Sequence, residues 1–269
     1  MYSIEQQKKY LFVTDVDNTV LGNFEGLVLF SRELSSVRES IILAYNSGRK
    51  TQSIKESLVA NPCMPAPDYL IGEVGTQIEK FTTAEIDDEY MQILKSHWSR
   101  EEIEKVLRDL PFQKQPDEFQ SDLKLSYYAS PEVDPVRWSR ERLNKSEQQA
   151  TIIYSSQRDL DFLPPRSGKG WAVVRLQEKL GFDKEQVIVA GDSGNDVSMF
   201  EHGFKGVVVG NAHSELKRLG SPPKINVASD AESKKQKSSH IYVATAEYAE
   251  GLVEGLRKLG VLPRKNGDE

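Results

Sequence analysis

The sequence is poor in cysteine, has no long apolar run and carries no excess of positive charge. Its one cysteine, Cys63, excludes an intrachain disulfide and suits a reducing compartment. No stretch approaches the roughly 20 apolar residues of a membrane-spanning helix, and polar residues 1–9 lack a signal-type centre. The formal net charge of −6 argues against nucleic acid as the main partner. We therefore expect a cytoplasmic protein without nucleic-acid or membrane partners.

Apolar, β-rich runs alternate with helical patterns along most of the chain. Near-continuous apolar strands separated by helices are typical of a parallel sheet covered on both faces, so an α/β fold is expected. The predicted strands are 10–14, 41–45, 69–71, 187–190, 206–209 and 240–244.

Residues 84–164, called the insert below, have a different pattern of predicted helices and strands from the rest of the chain. They combine two helical patterns, 90–110 and 135–144, with short strand patterns at 123–128, 151–154 and 161–163. We expect an α+β module inserted into a core domain made of residues 1–83 and 165–269. The Pro-, Ser- and Lys-rich stretch 221–239 is predicted to be a surface loop.

Asp15 and Asp17 directly follow the first apolar run. In a strand, residues two apart point to the same side, so both carboxylates can face one ligand. Carboxylates at the end of a buried strand are costly unless a cation or a reaction needs them. The alternative is a surface turn after an edge strand.

Polar motifs also stand beside later predicted elements. Because ligands bind parallel sheets at the carboxyl ends of strands, the motifs after strands should converge with Asp15. Taken singly, each could be an ordinary turn, a solvent-facing lysine or a capped loop. The residues concerned are Ser47 and Gly48 after the second run, Lys169 before a helical pattern, and Asp192, Asn195 and Asp196 after the run 187–189.

These four motifs, in this order, resemble those of the haloacid dehalogenase (HAD) phosphohydrolases. The resemblance implies a Rossmann-like core, with Asp15 as nucleophile and Asp17 as general acid and base. It also implies Ser47, Gly48, Asn195 and Lys169 around the phosphoryl group. The implied cofactor is Mg²⁺, held by Asp15, Asp17 through its carbonyl, Asp192 and, through its waters, Asp196.

The insert narrows the resemblance to the sucrose-phosphate phosphatase family, with a type C2 cap. The strings that carry it include Lys124-Leu-Ser-Tyr-Tyr128 and Asp159-Leu-Asp-Phe-Leu-Pro164, and the likeness runs from about residue 10 to 258. It implies sucrose 6-phosphate as substrate, sucrose-phosphate synthase as a candidate partner, and a monomer. Ser47 stands where this family more often has threonine.

A hydroxylated sugar should be selected by polar side chains of the insert. For Tyr128 the alternative role is packing of the insert sheet, and for Asp159 it is capping of a loop. Two alternative functions remain for the protein: a phosphatase for mannosylfructose, glucosylglycerol or trehalose phosphate, and a noncatalytic sugar-phosphate-binding domain. The candidate sugar-binding residues are Arg49, Lys124, Tyr128, Gln157, Arg158 and Asp159.

Overall fold

The computed structural model describes residues 9–220 and 240–264, so the predicted loop at 221–239 lies outside the described residues. Twelve strands form two sheets within the described part of the chain. They are β1 (Tyr10–Thr14), β2 (Ile41–Asn46), β3 (Tyr69–Gly72), β4 (Gln77–Lys80), β5 (Glu85–Ile86), β6 (Gln113–Lys114), β7 (Leu125–Tyr128), β8 (Thr151–Ser155), β9 (Asp159–Leu163), β10 (Val187–Gly191), β11 (Lys205–Val208) and β12 (Ile241–Val243).

Helices cover the large sheet and one side of the small one. They are α1 (Phe24–Ser35), α2 (Thr51–Ala60), α3 (Asp88–Ser96), α4 (Arg100–Leu107), α5 (Pro135–Ser146), α6 (Lys169–Leu180), α7 (Val197–Phe200), α8 (Ser214–Lys217) and α9 (Tyr248–Lys258). No helix in the described ranges combines the length and the hydrophobicity of a membrane span.

The large sheet has the strand order β12-β11-β10-β1-β2-β3-β4-β5. All pairs from β12 to β3 are parallel, which confirms the expected α/β fold. From β1 the chain adds strands first on the β2 side and later on the β10 side. The carboxyl ends of β1, β2 and β10 therefore meet at a switch in strand order, where parallel sheets bind ligands. The antiparallel strands β4 and β5 were not predicted.

The small sheet belongs to the insert and is antiparallel, in the order β6-β7-β9-β8. It has an apolar cluster of its own, in which Ile103 and Leu107 of α4 pack with Leu125, Leu160 and Phe162 of the sheet. The expected α+β character of this segment matches these elements.

The start of the insert differs from the expectation in two ways. Strand β5 pairs with β4, and α3 packs Tyr90 and Leu94 on the large-sheet core, so residues 85–96 extend the core side. The single helix expected at 90–110 is wrong, because α3 and α4 are separate and residues 97–99 break the helical pattern. At the break, the Trp98 indole N–H donates to the carbonyl of Asp122 at 2.8 Å. The division into two domains stays a prediction.

Helix α6 begins at Lys169 and ends at Leu180, and the following Gly181 has the left-handed φ of 73° expected of a C-cap glycine. Its buried face holds Val173 and Leu176, whereas Trp171 is 38% exposed. The helix thus fixes the start of its first turn, and Lys169 with it, against the sheet.

Candidate active site

Three carboxylates meet at the switch in strand order. Asp15 follows β1, whereas Asp192 and Asp196 follow β10, and one oxygen from each lies within 4.8 Å of the others. All three side chains are buried. The Asp15 backbone N–H continues the β1–β10 pairing by donating to the Ala190 carbonyl at 2.9 Å.

Lys169 lies between two of these carboxylates. Its ammonium is fully buried and contacts Asp15 Oδ1 at 2.5 Å and Asp196 Oδ1 at 2.6 Å. One buried ammonium among three carboxylates leaves an excess of negative charge, which a protein interior disfavours.

Asp196 is saturated by hydrogen bonds. Its Oδ2 accepts from the backbone N–H groups of Asp192 and Ser193, both at 3.0 Å, while Oδ1 takes the Lys169 bond. A Cβ at Gly191 would lie only 2.5 Å from Asp196 Cγ, so glycine is required for this approach. Asp196 therefore shapes the loop and holds Lys169, rather than offering a free oxygen.

Burial and the neighbouring charges shift the pKa values of Asp15, Asp192 and Lys169. Burial raises the pKa of Asp15 to about 8, and the Asp196 and Asp192 carboxylates add to the rise although Lys169 opposes it. Burial and then Asp196 raise the pKa of Asp192 to about 6. Burial alone would lower the pKa of Lys169, but Asp15 and Asp196 outweigh it and raise that pKa.

The cluster fits a small divalent cation. Asp15 Oδ2 is buried and has no hydrogen-bond partner among the described residues, and Asp192 Oδ1 has only a long bond from Thr19 at 3.4 Å. Hard oxygen ligands with excess negative charge suit Mg²⁺. The Asp17 carboxylate is not part of this cluster, which leaves only its carbonyl for the role implied by the resemblance.

Asp17 instead points toward solvent and pairs with Arg49. Its side chain is 50% exposed, and its Oδ2 lies 3.0 Å from Arg49 Nε. Arg49 also lies near Ser57, to whose Oγ its Nη1 donates at 3.0 Å. The pair joins the turn after β1 to the loop after β2.

Residues 47–49, called the 47–49 loop, connect β2 to α2. The Ser47 N–H donates to the Ile71 carbonyl at 2.9 Å, and Ser47 Oγ accepts from the Arg49 N–H at 3.2 Å. Accepting that bond leaves the Ser47 hydroxyl proton available to an acceptor oxygen of a ligand.

A cavity of about 480 Å³, called the interface cavity, separates the 47–49 loop and α2 from the insert. Most of the predicted binding residues line it. Gln157 does not, because it lies in the exposed turn between β8 and β9 with φ 52°. The predicted residues that line the cavity are Gly48, Arg49, Lys124, Tyr128, Arg158, Asp159 and Asn195.

Arg158, Asp159 and Tyr128 form one group at the rim of the cavity. The Arg158 guanidinium makes two bonds to the Asp159 carboxylate, at 3.1 and 3.0 Å, and lies 5.4 Å from the centre of the Tyr128 ring. These two parallel bonds fix the orientation of the Asp159 carboxylate, which lines the interface cavity.

Sequence reasoning missed several lining residues. Gln115 donates to Asp159 Oδ1 at 2.9 Å, and Asp161 accepts from the Ser126 hydroxyl at 2.5 Å beside Lys124. The region around Gln115 is polar without a clear period, so only tertiary pairing reveals it. The missed lining residues include Gln52, Ser53, Glu56, Gln115, Glu118, Phe119, Ser155 and Asp161.

Comparisons with known proteins agree with this geometry. The family model described as sucrose-6F-phosphate phosphohydrolase matches residues 8–260. The chain is 31% identical over 259 residues to the mannosylfructose-phosphate phosphatase of Agrobacterium fabrum, covering 94% of this chain and 98% of that protein. It is 30% identical over 228 residues to sucrose-phosphatase 1 of Nicotiana tabacum, covering 80% of this chain and 53%, about half, of the tobacco protein.

The fold comparison points the same way. The structure of the sucrose-phosphatase from Synechocystis, in complex with sucrose and phosphate, aligns with a TM-score of 0.82 at 29% identity, covering 94% of this chain and 98% of that one. The matched range includes the carboxylate cluster, Lys169 and the insert together. The chain therefore belongs to the sucrose-6F-phosphate phosphohydrolase family, within the HAD fold, and is a phosphoric monoester hydrolase.

Proposed function

We propose that this enzyme is a Mg²⁺-dependent phosphatase that hydrolyses sucrose 6-phosphate to sucrose and phosphate. The observation that carries the proposal is the interface cavity, in which polar residues of the insert face the 47–49 loop and Asn195, a residue of the same segment that carries the buried Asp192 and Asp196. Such a cavity suits a ligand with a phosphate at one end and many hydroxyls at the other.

Asp15 is the proposed nucleophile. One of its oxygens forms a bond to phosphorus while the bond from phosphorus to the sugar oxygen breaks, which leaves an aspartyl-phosphate. Lys169, 2.5 Å from Asp15 Oδ1, holds the carboxylate in place and offsets negative charge on the transferred group. The Ser47 hydroxyl and the Gly48 N–H donate to phosphoryl oxygens.

Asp17 is the proposed acid and base. It gives its proton to the departing sugar oxygen and then takes one from the water that attacks the aspartyl-phosphate, so the proton count closes over the cycle. Its side chain is half exposed, and it pairs with Arg49, which lines the interface cavity. Arg49 holds the carboxylate between these transfers.

Asp15 and Asp192 would hold the cation, with Asp196 fixing the loop that carries Asp192. Bound Mg²⁺ would supply positive charge that neutralises phosphoryl oxygens, which otherwise repel the incoming carboxylate. The expected monomeric state and the sucrose-phosphate synthase partner stay predictions.

Mannosylfructose phosphate is the second candidate substrate. The relative from Agrobacterium fabrum, 31% identical over nearly its whole length, is a phosphatase for that sugar phosphate. Mannose and glucose differ only in the orientation of one hydroxyl. The two activities therefore depend on a few hydroxyl contacts of the insert.

The test is phosphate release from a substrate panel: the 6-phosphates of sucrose and trehalose, and the phosphates of mannosylfructose and glucosylglycerol. Each is assayed with MgCl₂, with CaCl₂ and after exhaustive chelation. The proposal expects the highest kcat/KM for sucrose 6-phosphate with MgCl₂, and low activity with Ca²⁺, whose looser coordination misplaces the nucleophile.

Two outcomes would contradict it at different levels. A higher kcat/KM for mannosylfructose phosphate would replace the substrate and keep the mechanism. Full activity after chelation would remove the metal from the mechanism. Lys169→Gln serves as the matched inactive control, because it removes the ammonium and retains a side chain of similar length.

A further inference from the structure

The turn after β3, residues 73–75, has an unusual backbone. Glu73, Val74 and Gly75 have φ values of 53°, 58° and 88°, so three consecutive residues lie in the left-handed region. For a β-branched residue such as Val74 this conformation is a genuine outlier. Strain of this kind persists only where surrounding contacts over-determine it, which makes these contacts informative.

On one side, the 73–75 turn bonds to the 47–49 loop. The Val74 N–H donates to the Ser47 carbonyl at 3.1 Å, and the Glu73 N–H donates to the Arg49 carbonyl at 2.8 Å. The left-handed conformation directs the N–H groups of Glu73 and Val74 to that loop. Its position is thus tied to the turn by two backbone bonds.

On the other side, the 73–75 turn abuts the start of α6. A Cβ added to Gly75 would overlap the carbonyl group of Gly168 and lie 2.7 Å from the backbone nitrogen of Lys169. The backbone of Gly75 is therefore in direct van der Waals contact with the peptide that precedes the buried lysine. Only glycine permits this approach.

Helix α3 contacts the 73–75 turn through a hydrogen bond. The buried Tyr90 hydroxyl donates to the Gly75 carbonyl at 3.0 Å. Asp87, which caps α3, is bonded twice by Arg175 of α6, at 2.9 and 3.0 Å. Helix α3 is therefore bonded to the 73–75 turn through Tyr90 and to α6 through Asp87.

We propose that the 73–75 turn is a positioning element that sets Lys169 against the 47–49 loop, with Gly75 and Tyr90 as its positioning residues. The inference rests on the proposed function, in which Lys169 and Ser47 act on the same phosphoryl group. A displacement of Lys169 by a fraction of an ångström then weakens binding of the transition state without removing any group that touches it.

Gly75→Ala tests the contact, and Gly203→Ala is its matched control. Gly203 has a similar φ of 82°, but an added Cβ there meets nothing within 4 Å. Both variants carry the cost of a left-handed alanine, and only Gly75→Ala presses on the Gly168–Lys169 peptide. Their difference isolates the contact from the backbone strain.

Two quantities are measured for each folded variant with Mg²⁺: kcat/KM for p-nitrophenyl phosphate, and the inhibition constant of orthovanadate. The inhibition constant does not depend on the fraction of active enzyme, so partial unfolding leaves it unchanged. We expect Gly75→Ala to lower kcat/KM and to weaken vanadate inhibition, each about tenfold or more, and Gly203→Ala to alter neither beyond about twofold.

Tyr90→Phe is the milder variant, in case Gly75→Ala does not fold. Tyr45→Phe is its control, because Tyr45 is equally a buried tyrosine that donates to a carbonyl, that of Pro65 at 2.8 Å. We expect Tyr90→Phe to weaken vanadate inhibition about threefold and Tyr45→Phe to leave it unchanged.

Equal inhibition constants in Tyr90→Phe and Tyr45→Phe, or in Gly75→Ala and Gly203→Ala, would overturn the inference. Lys169→Gln separates this outcome from failure of the proposed function. If Lys169→Gln keeps wild-type activity, the role of Lys169 fails. If it is inactive while Gly75→Ala is normal, only the positioning role fails.

Discussion

The Lys124 ammonium donates to the carbonyl oxygen of Gly48 across 3.4 Å, which joins the insert to the 47–49 loop. Lys124 is buried, and its charge also acts on the buried Asp161 carboxylate beside it. Lys124 and Gly48 both line the interface cavity. The Lys124 ammonium therefore borders the space that a ligand between the insert and the loop would occupy.

Lys124→Met should change selectivity more than chemistry. The side chain keeps most of its stem but loses the donor, so kcat/KM for sucrose 6-phosphate should fall about tenfold or more, while that for p-nitrophenyl phosphate should fall less than about threefold. Gln157→Ala is the comparison, since Gln157 lies outside the interface cavity and should leave both values unchanged. Equal losses on both substrates in Lys124→Met would place Lys124 in structure instead of sugar recognition.

Asp15→Asn should abolish turnover, by about a thousandfold or more, because the amide is not a nucleophile toward phosphorus. The fold should survive, because the change lowers the excess negative charge around Lys169. Phosphate release and thermal unfolding followed by circular dichroism check the two parts. Turnover near the wild-type level would refute the nucleophile assignment.

Asp17→Asn should distinguish leaving groups. Sucrose is a poor leaving group that needs a proton, whereas p-nitrophenolate departs without one. The loss of kcat/KM, which reports formation of the aspartyl-phosphate and departure of the leaving group, should thus be about hundredfold or more for sucrose 6-phosphate and smaller for p-nitrophenyl phosphate. A loss below about tenfold on the sugar phosphate would mean that Asp17 is not the acid and base.

The metal-free enzyme should lose stability as the pH rises from about 4 to about 8. The pKa of Asp15 is about 8 and that of Asp192 about 6 in the folded state, against 3.8 for an ordinary aspartate. Between these values the folded state binds more protons than the unfolded state, so the free energy of unfolding falls as protons leave. Urea unfolding in chelator at several pH values measures the slope.

Asp15→Asn supplies the control for that slope, which should become shallower because one of the two titrating carboxyls is gone. Mg²⁺ should restore most stability at pH 8 in the wild type. A flat profile without metal in the wild type would contradict the charge balance described for the cluster.

The short motifs were predictable because each is continuous in sequence and ends a recognisable element. Asp15 follows an apolar run that is a strand, and Lys169 opens a helix, as its position before a helical pattern predicted. Their order along the chain was enough for the resemblance. The hairpin of β4 and β5 escaped prediction, because strands of four and two residues carry little periodic signal.

Side-chain directions in the insert could not be predicted from the sequence. Three of the four strands of its sheet, β7, β8 and β9, were recognisable, whereas the two-residue β6 was not. Gln157 was grouped with Arg158 because the two are adjacent in sequence. In the β8–β9 turn, only Arg158 reaches back to Asp159 and Tyr128, while Gln157 faces solvent. Neighbours in a turn point in different directions, so sequence adjacency does not predict a shared cavity.

By itself the sequence determined the alternation of strands and helices in the parallel core, the residue types available for phosphoryl transfer, and the family. These follow from local patterns: hydrophobic period, caps and short motifs. Only the tertiary structure decided how Lys169 is shared between Asp15, 154 residues away, and Asp196, 27 residues away, and that Asp17 pairs with Arg49. Charge balance and contact distance belong to pairs of residues brought together by the sheet, and no single stretch of chain contains them.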